Sequence, residues 1–157
     1  MKRVSTAGMK LAYCVETTAG TMPTASYTMI PEVTSAPSMF VAPNTADVTP
    51  LDETEMVQYI PLLKDFGGAL EYGCNWNDSV DTAWNTTCVE AYETAQASDK
   101  AMWFALVHPE LAKCVLFKGQ PLPAGPDEVS ANSPLTATLR IVPLGGWTYT
   151  AKPTITG

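Results

Sequence analysis

The chain has 157 residues, with nine Lys/Arg against sixteen Asp/Glu, a formal net charge of −7, and 46% hydrophobic residues. That is enough chain to bury one core in one domain, and it offers no basic patch for gripping nucleic-acid phosphates. Charged residues make up only 16%, below the usual quarter, so much of the surface is expected to be covered, most simply by copies of the same chain.

The charges are unevenly placed. Residues 11–99 hold thirteen acids and a single base, Lys64, while Lys2, Arg3 and Lys10 precede them and Lys100, Lys113, Lys118, Arg140 and Lys152 follow. The sequence begins with a basic pair but then alternates instead of building an apolar run, so no secretion signal is expected. No stretch approaches the ~18 apolar residues of a membrane span, so no membrane insertion is expected. Cys14, Cys74, Cys88 and Cys114 show no metal-ligand spacing and read as reduced, buried thiols of a protein made in a cytoplasm.

In chain order, residues 9–16 alternate as a half-buried strand, with Met9, Leu11, Tyr13 and Val15 on one face. Residues 20–23 form a turn. Residues 27–33 and 38–42 are strand candidates, with Pro31 and Pro37 marking an edge or a bend.

Residues 43–68 break the series. These 26 residues match neither strand nor helix periodicity, and they carry Asp47, Asp52, Glu53, Glu55 and Asp65 against Lys64. Val48, Leu51, Met56, Val57, Tyr59, Ile60, Leu62, Leu63 and Phe66 are interleaved with them. Structureless connections of this length are usually functional or disordered, and disordered segments lack so many large apolar side chains. The segment therefore reads as an arm that lies on a neighbouring subunit.

Residues 69–76 alternate cleanly as a strand. From 78 to 97 the period changes: Val80, Trp84, Cys88, Ala91, Tyr92 and Ala95 form one helical stripe, with Asp78 as the expected cap. Residues 101–107 are apolar on both faces, as in a central strand, and 113–118 form the next. Residues 119–133, with three prolines, read as a long loop or a proline-interrupted edge. A strand at 135–144, a turn at Gly145–Gly146, a strand at 147–151 and a mobile tail at 152–157 complete the chain. The sum is a mainly β fold in one domain: an antiparallel sandwich or barrel of about seven to eight strands flanked by one α-helix.

Little here carries catalysis. His108 is the chain's one histidine, no partner for it is readable, and a strand-end histidine is usually structural. The run Asp52-Glu53-Thr54-Glu55 lacks the Asx ladder and fixed glycine of a calcium loop. No phosphate-binding loop, nucleophile elbow or zinc signature occurs, so neither enzyme activity nor a cofactor is expected. Trp76, Trp84 and Trp103 read as core, whereas Trp147 after Gly145-Gly146 could equally anchor an interface.

The layout resembles the major tail tube proteins of long-tailed bacteriophages. The residues that carry the resemblance are Pro-Glu-Val-Thr-Ser-Ala-Pro at 31–37, Asp-Val-Thr-Pro-Leu-Asp at 47–52, and Tyr-Ile-Pro-Leu-Leu-Lys-Asp-Phe-Gly-Gly at 59–68. Leu-Glu-Tyr-Gly-Cys-Asn-Trp at 70–76 and one helix then follow. Ile60-Pro61 departs from the glycine common there, and nothing corresponds to the C-terminal immunoglobulin-like domain of some relatives.

The resemblance implies rings, usually hexameric, that stack into a tube in the virion. The tube is assembled in the host cytoplasm, and DNA passes through it without specific binding. Partners would be further copies together with tape measure, tail terminator and distal tail proteins. Residues 43–68 would be the stacking loop, using Val48, Leu51, Asp52, Glu53, Glu55, Met56, Val57 and Tyr59. Residues 1–7 would form an arm whose Lys2 and Arg3 pair with acids of a neighbour, and some of the acids between 11 and 99 would line the bore. The alternative is a small β-sandwich binding module for a host surface or carbohydrate, using Tyr59 and Trp147.

Overall fold

The computed structural model describes residues 3–40, 42–64 and 68–156. The chain forms two compact units, residues 1–37 with 69–157, and residues 38–68.

The larger unit is one eight-stranded sheet with a helix. Its strands are β1 (Lys10–Val15), β2 (Tyr27–Ile30), β3 (Val33–Ser35), β6 (Leu70–Asn75), β7 (Met102–Val107), β8 (Lys113–Pro121), β9 (Thr136–Ala151) and β10 (Ile155–Thr156); β4 and β5 belong to the smaller unit. The order across the sheet is β10-β2-β1-β7-β8-β9-β6-β3. All these pairings are antiparallel except β10 with β2.

β2 and β3 lie towards opposite ends of that order, yet only Pro31 and Glu32 join them. Three Cα–Cα steps span at most ~11 Å, so the sheet has to curl until its flanks approach at that corner. Glu32 makes the corner in the left-handed region (φ 63°) and its carbonyl accepts from the Asn75 N–H at 3.0 Å. The result is a half-barrel, a β-rich fold in which one curled sheet replaces two facing ones.

Both faces of the central strand β7 are buried, as its unbroken apolar run requires. On one face Ala12, Tyr27, Trp103, Ala105, Val107, Cys114 and Leu116 form a cluster. On the other, Phe104 stacks on Phe117 at 5.7 Å and meets Trp84 of the helix at 6.5 Å. Each such fully buried aromatic contributes about 1.5–3 kcal/mol through burial alone.

The helix, α1, spans 78–97 as sequence periodicity indicates, but it is not α-helical throughout. An α turn Asp78–Asp81 leads into a π-helical segment Thr82–Val89, and α geometry returns over Glu90–Ala97. The cap is Asn77 and not Asp78: its side-chain oxygen accepts from the Val80 N–H at 3.0 Å. Within the π segment the adjacent Trp84 and Asn85 hold one stretch of loop. Trp84 Nε1 donates to the Leu122 carbonyl at 2.8 Å, and the Asn85 amide exchanges two bonds with Ala124 at 2.9 Å each.

Three sequence expectations need correction. The Gly145-Gly146 turn is absent: β9 runs unbroken through both glycines, which fill a bulge where one residue of β8 opposes three of β9. Gly145 takes φ 112° there, a conformation only glycine adopts freely. The tail is not loose, since Ile155 and Thr156 pair with Tyr27 and Thr28. The described residues of 38–42 form no strand.

His108 directly follows β7. It is buried, its Nε2 bonds the Ser5 carbonyl at 2.6 Å, and Nδ1 accepts from the Glu110 N–H at 3.0 Å. The four cysteines are free thiols, and burial pushes those of Cys74, Cys88 and Cys114 up, away from the reactive thiolate.

Candidate functional site

The smaller unit, residues 38–68, holds the proposed arm. Sequence periodicity gives it no strand, but it contains a short antiparallel hairpin, β4 (Thr45–Asp47) with β5 (Tyr59–Pro61), in the register Thr45↔Pro61, Ala46↔Ile60 and Asp47↔Tyr59. Bonds between Asn44 and both Leu62 and Leu63 continue the ladder outward, and Val48 N–H to the Gln58 carbonyl (2.9 Å) continues it inward.

Beyond that point side chains do the bracing. The Asp47 carboxylate accepts from the Thr49 N–H at 2.9 Å and from its hydroxyl at 2.6 Å, a local turn typical of Asp followed two residues later by Thr. The Thr49 hydroxyl oxygen in turn accepts from the Gln58 N–H at 2.8 Å. A turn over Leu51 and Asp52 is closed by Glu53 N–H to the Pro50 carbonyl at 3.1 Å. The Glu53 carboxylate then accepts from the N–H groups of Thr54 (3.0 Å) and Glu55 (2.9 Å) and from the Gln58 amide (3.2 Å).

These bonds set the electrostatics of the tip. The Thr49 hydroxyl and N–H hold the Asp47 carboxyl below its ordinary range, and the N–H groups of Glu55 and then Met56 do the same for Glu53. Both acids are therefore charged and already committed to the backbone. A shallow dish of about 200 Å³ lies between Thr49, Glu53, Thr54, Glu55, Met56 and Val57. Among the described residues, no three His, Cys, Asp or Glu side chains converge as metal ligands.

Met39 is buried, but most of the large apolar side chains described in this unit are exposed. Leu51 is 106% exposed and Met56 75%, with Val48, Val57, Tyr59, Ile60, Leu62 and Leu63 also exposed. Nine of the sixteen exposed large hydrophobics among the described residues fall within this unit. Single exposed apolar side chains need no explanation, but a concentration of them marks an interaction surface.

The hairpin brings Val48 and Tyr59 to its inner end, whereas Leu51, Asp52, Glu53, Glu55, Met56 and Val57 build the tip. Thr49 and Gln58, which hold the tip, escaped the sequence reading; Asp47-Val48-Thr49 was the available signal. Arg3 is exposed, and Trp147 is half-buried opposite Phe117 on β8. Lys2, Asp65 and Phe66 lie outside the described residues.

No protein-family model matches the sequence, and no curated protein does. The fold is similar to that of a chain in the cryo-EM structure of the anti-feeding prophage (AFP) baseplate, 6-fold symmetrised. The TM-score is 0.56 over 96% of this chain and 97% of that one, with 8% sequence identity. What the two share is a fold. It extends over essentially the whole of both chains.

Proposed function

We propose that the chain is a structural subunit of a phage tail or tail-like particle, and specifically a tube subunit that assembles into stacked rings. One observation carries this reading: a braced hairpin presents Leu51, Met56, Val57 and Tyr59 to solvent beside Asp47, Asp52, Glu53 and Glu55. An isolated molecule gains nothing from ordering such a surface, because exposed apolar area opposes solubility and the ordering itself costs conformational entropy. A second copy that covered it would recover that cost. Head-to-tail contacts of this kind close into rings where the rotation fits.

The fold likeness supports the same reading, since the similar chain belongs to a 6-fold symmetrised prophage baseplate. Six subunits per ring is the number we propose here, with genome passage along the bore and contacts to other tail proteins at the tube's ends. Acids without a phosphate-gripping patch suit such a wall, because like-charge repulsion acts over about a Debye length, ~8 Å in physiological salt. The role is structural and calls for no catalytic group or cofactor.

Negative-stain microscopy of concentrated protein tests the reading. Rings or tubes are expected, and a variant lacking residues 48–58 is expected to stay folded and dispersed. A deletion variant that polymerises like the parent would overturn the arm's role.

A further inference from the structure

Strand register gathers four of the chain's nine bases at one end of the larger unit. β1 starts where β7 ends (Lys10↔Val107), and β8 starts where β9 ends (Lys113↔Ala151). The His108 ring ties Ser5 to the same end, and Gly8 lies against Pro109. Lys152 is held there by its N–H to the Ala112 carbonyl (3.1 Å) and its Nζ to the Pro109 carbonyl (3.0 Å). Arg3, Lys10, Lys113 and Lys152 are all exposed, with Glu110 on the intervening turn as an acid among them.

The same end carries exposed apolar side chains. Val4 is 43% exposed, Met9 39% and Leu111 41%. Beside them a groove of about 430 Å³ opens between Met9, Leu11 and Leu106 on one wall and β3 with Ala36 on the other. At the other end of β1, Glu16 is buried and accepts from the Ala101 N–H, while the exposed Glu32 adjoins the groove wall at Val33.

We infer that this basic-rimmed apolar end is the docking site for the arm tip of a second copy, with Leu51 or Met56 entering the groove. The inference rests on the tube reading and adds the acceptor surface to it. The match is one of chemistry on both sides. The tip is apolar with an acidic surround, the end is apolar with a basic surround, and such patches select one another and speed encounter. Each exposed ion pair contributes little, so the apolar contact supplies the affinity and the charges fix which end is used. A site at one end only also gives the assembly a direction, as a non-isologous contact must.

The test is photo-cross-linking in the full chain, with Leu51→p-benzoylphenylalanine or the same change at Met56, in mixtures of heavy and light isotope-labelled copies. Heavy–light links to residues 3–11 or 106–113 are expected. The yield should fall about tenfold against K10E/K113E copies, and recover when the cross-linking chain also carries D52K/E55K. Links within one chain only, links elsewhere on the partner copy, or an undiminished yield against K10E/K113E overturn the inference. Microscopy of the same samples separates it from the tube reading. Rings with links elsewhere refute this docking site alone, whereas links at this site without rings refute the tube alone.

Discussion

Thr49 and Gln58 hold each other across the neck of the arm's tip: the Thr49 hydroxyl oxygen accepts from the Gln58 N–H at 2.8 Å while its own N–H and hydroxyl donate to Asp47. One side chain thus joins the two sides of the hairpin where backbone pairing ends. Thr49→Val keeps the shape and removes the hydroxyl. Hydrogen exchange across residues 48–58 should quicken by about fivefold, the effect of losing ~1 kcal/mol of local hydrogen bonding, with the melting temperature of the larger unit unchanged. Unchanged exchange would show that the tip is held by something else.

Acid should loosen the same tip. Asp47 and Glu53 have carboxyls held below their ordinary values of 3.8 and 4.5 by bonds that only the charged form accepts fully. A group depressed in the folded state adds stability that is complete above its unfolded value and lost as pH falls through the folded one. The tip should therefore be constant from neutral pH down to about 5 and fray below about 4. Amide protection of Glu55 and Gln58, followed by NMR between pH 6 and 3, checks this. Protection that stays level through the acid range would contradict the bracing role of the two carboxylates.

Gly119 lies where β8 and β9 close on the core, and a Cβ there would overlap Ile141 Cγ2 and press on Phe104. Gly119→Ala should destabilise the larger unit by about 1–3 kcal/mol, lowering its melting temperature by several degrees. Calorimetry reads this directly. A melting temperature equal to the parent's would mean that the two strands part there more easily than their packing indicates.

Asn85→Ala should act on a different part of the larger unit. The amide bonds Asp81 on its own helix and both backbone groups of Ala124, so its loss leaves the 122–124 stretch held at Leu122, by Trp84 and by the Arg140 carbonyl. A loss of about 1–3 kcal/mol is expected, with faster exchange at Ala124. An unaltered exchange rate at Ala124 would contradict that role.

The elements legible in the sequence were those with enough residues to show a period. β6, α1 and the doubly apolar β7 could each be placed from side-chain spacing alone. The failures have physical causes. β4, β5 and β10 span three, three and two residues, too few for alternation to register. Gly145-Gly146 is punctuation whose sense depends on the partner strand, and β8 supplies a bulge instead of a turn. The helix cap moved from Asp78 to Asn77 because both residues can cap, and only the structure shows whose oxygen meets the Val80 N–H. For the candidate site, composition made the apolar and acidic character of the arm plain. Its hairpin and the bonds of Thr49, Glu53 and Gln58 depend on contacts across ten residues that no local pattern encodes.

In the assembly proposed above, a sister copy covers the arm tip. Hydroxyl-radical footprinting of Leu51 and Met56, in dispersed protein and in assembled particles, tests it most directly. Oxidation at both positions is expected in dispersed protein and strong protection after assembly, with Val129 on the larger unit, 73% exposed, as an internal reference. Equal oxidation of Leu51 and Met56 before and after assembly, or protein that remains dispersed at every concentration, would contradict it.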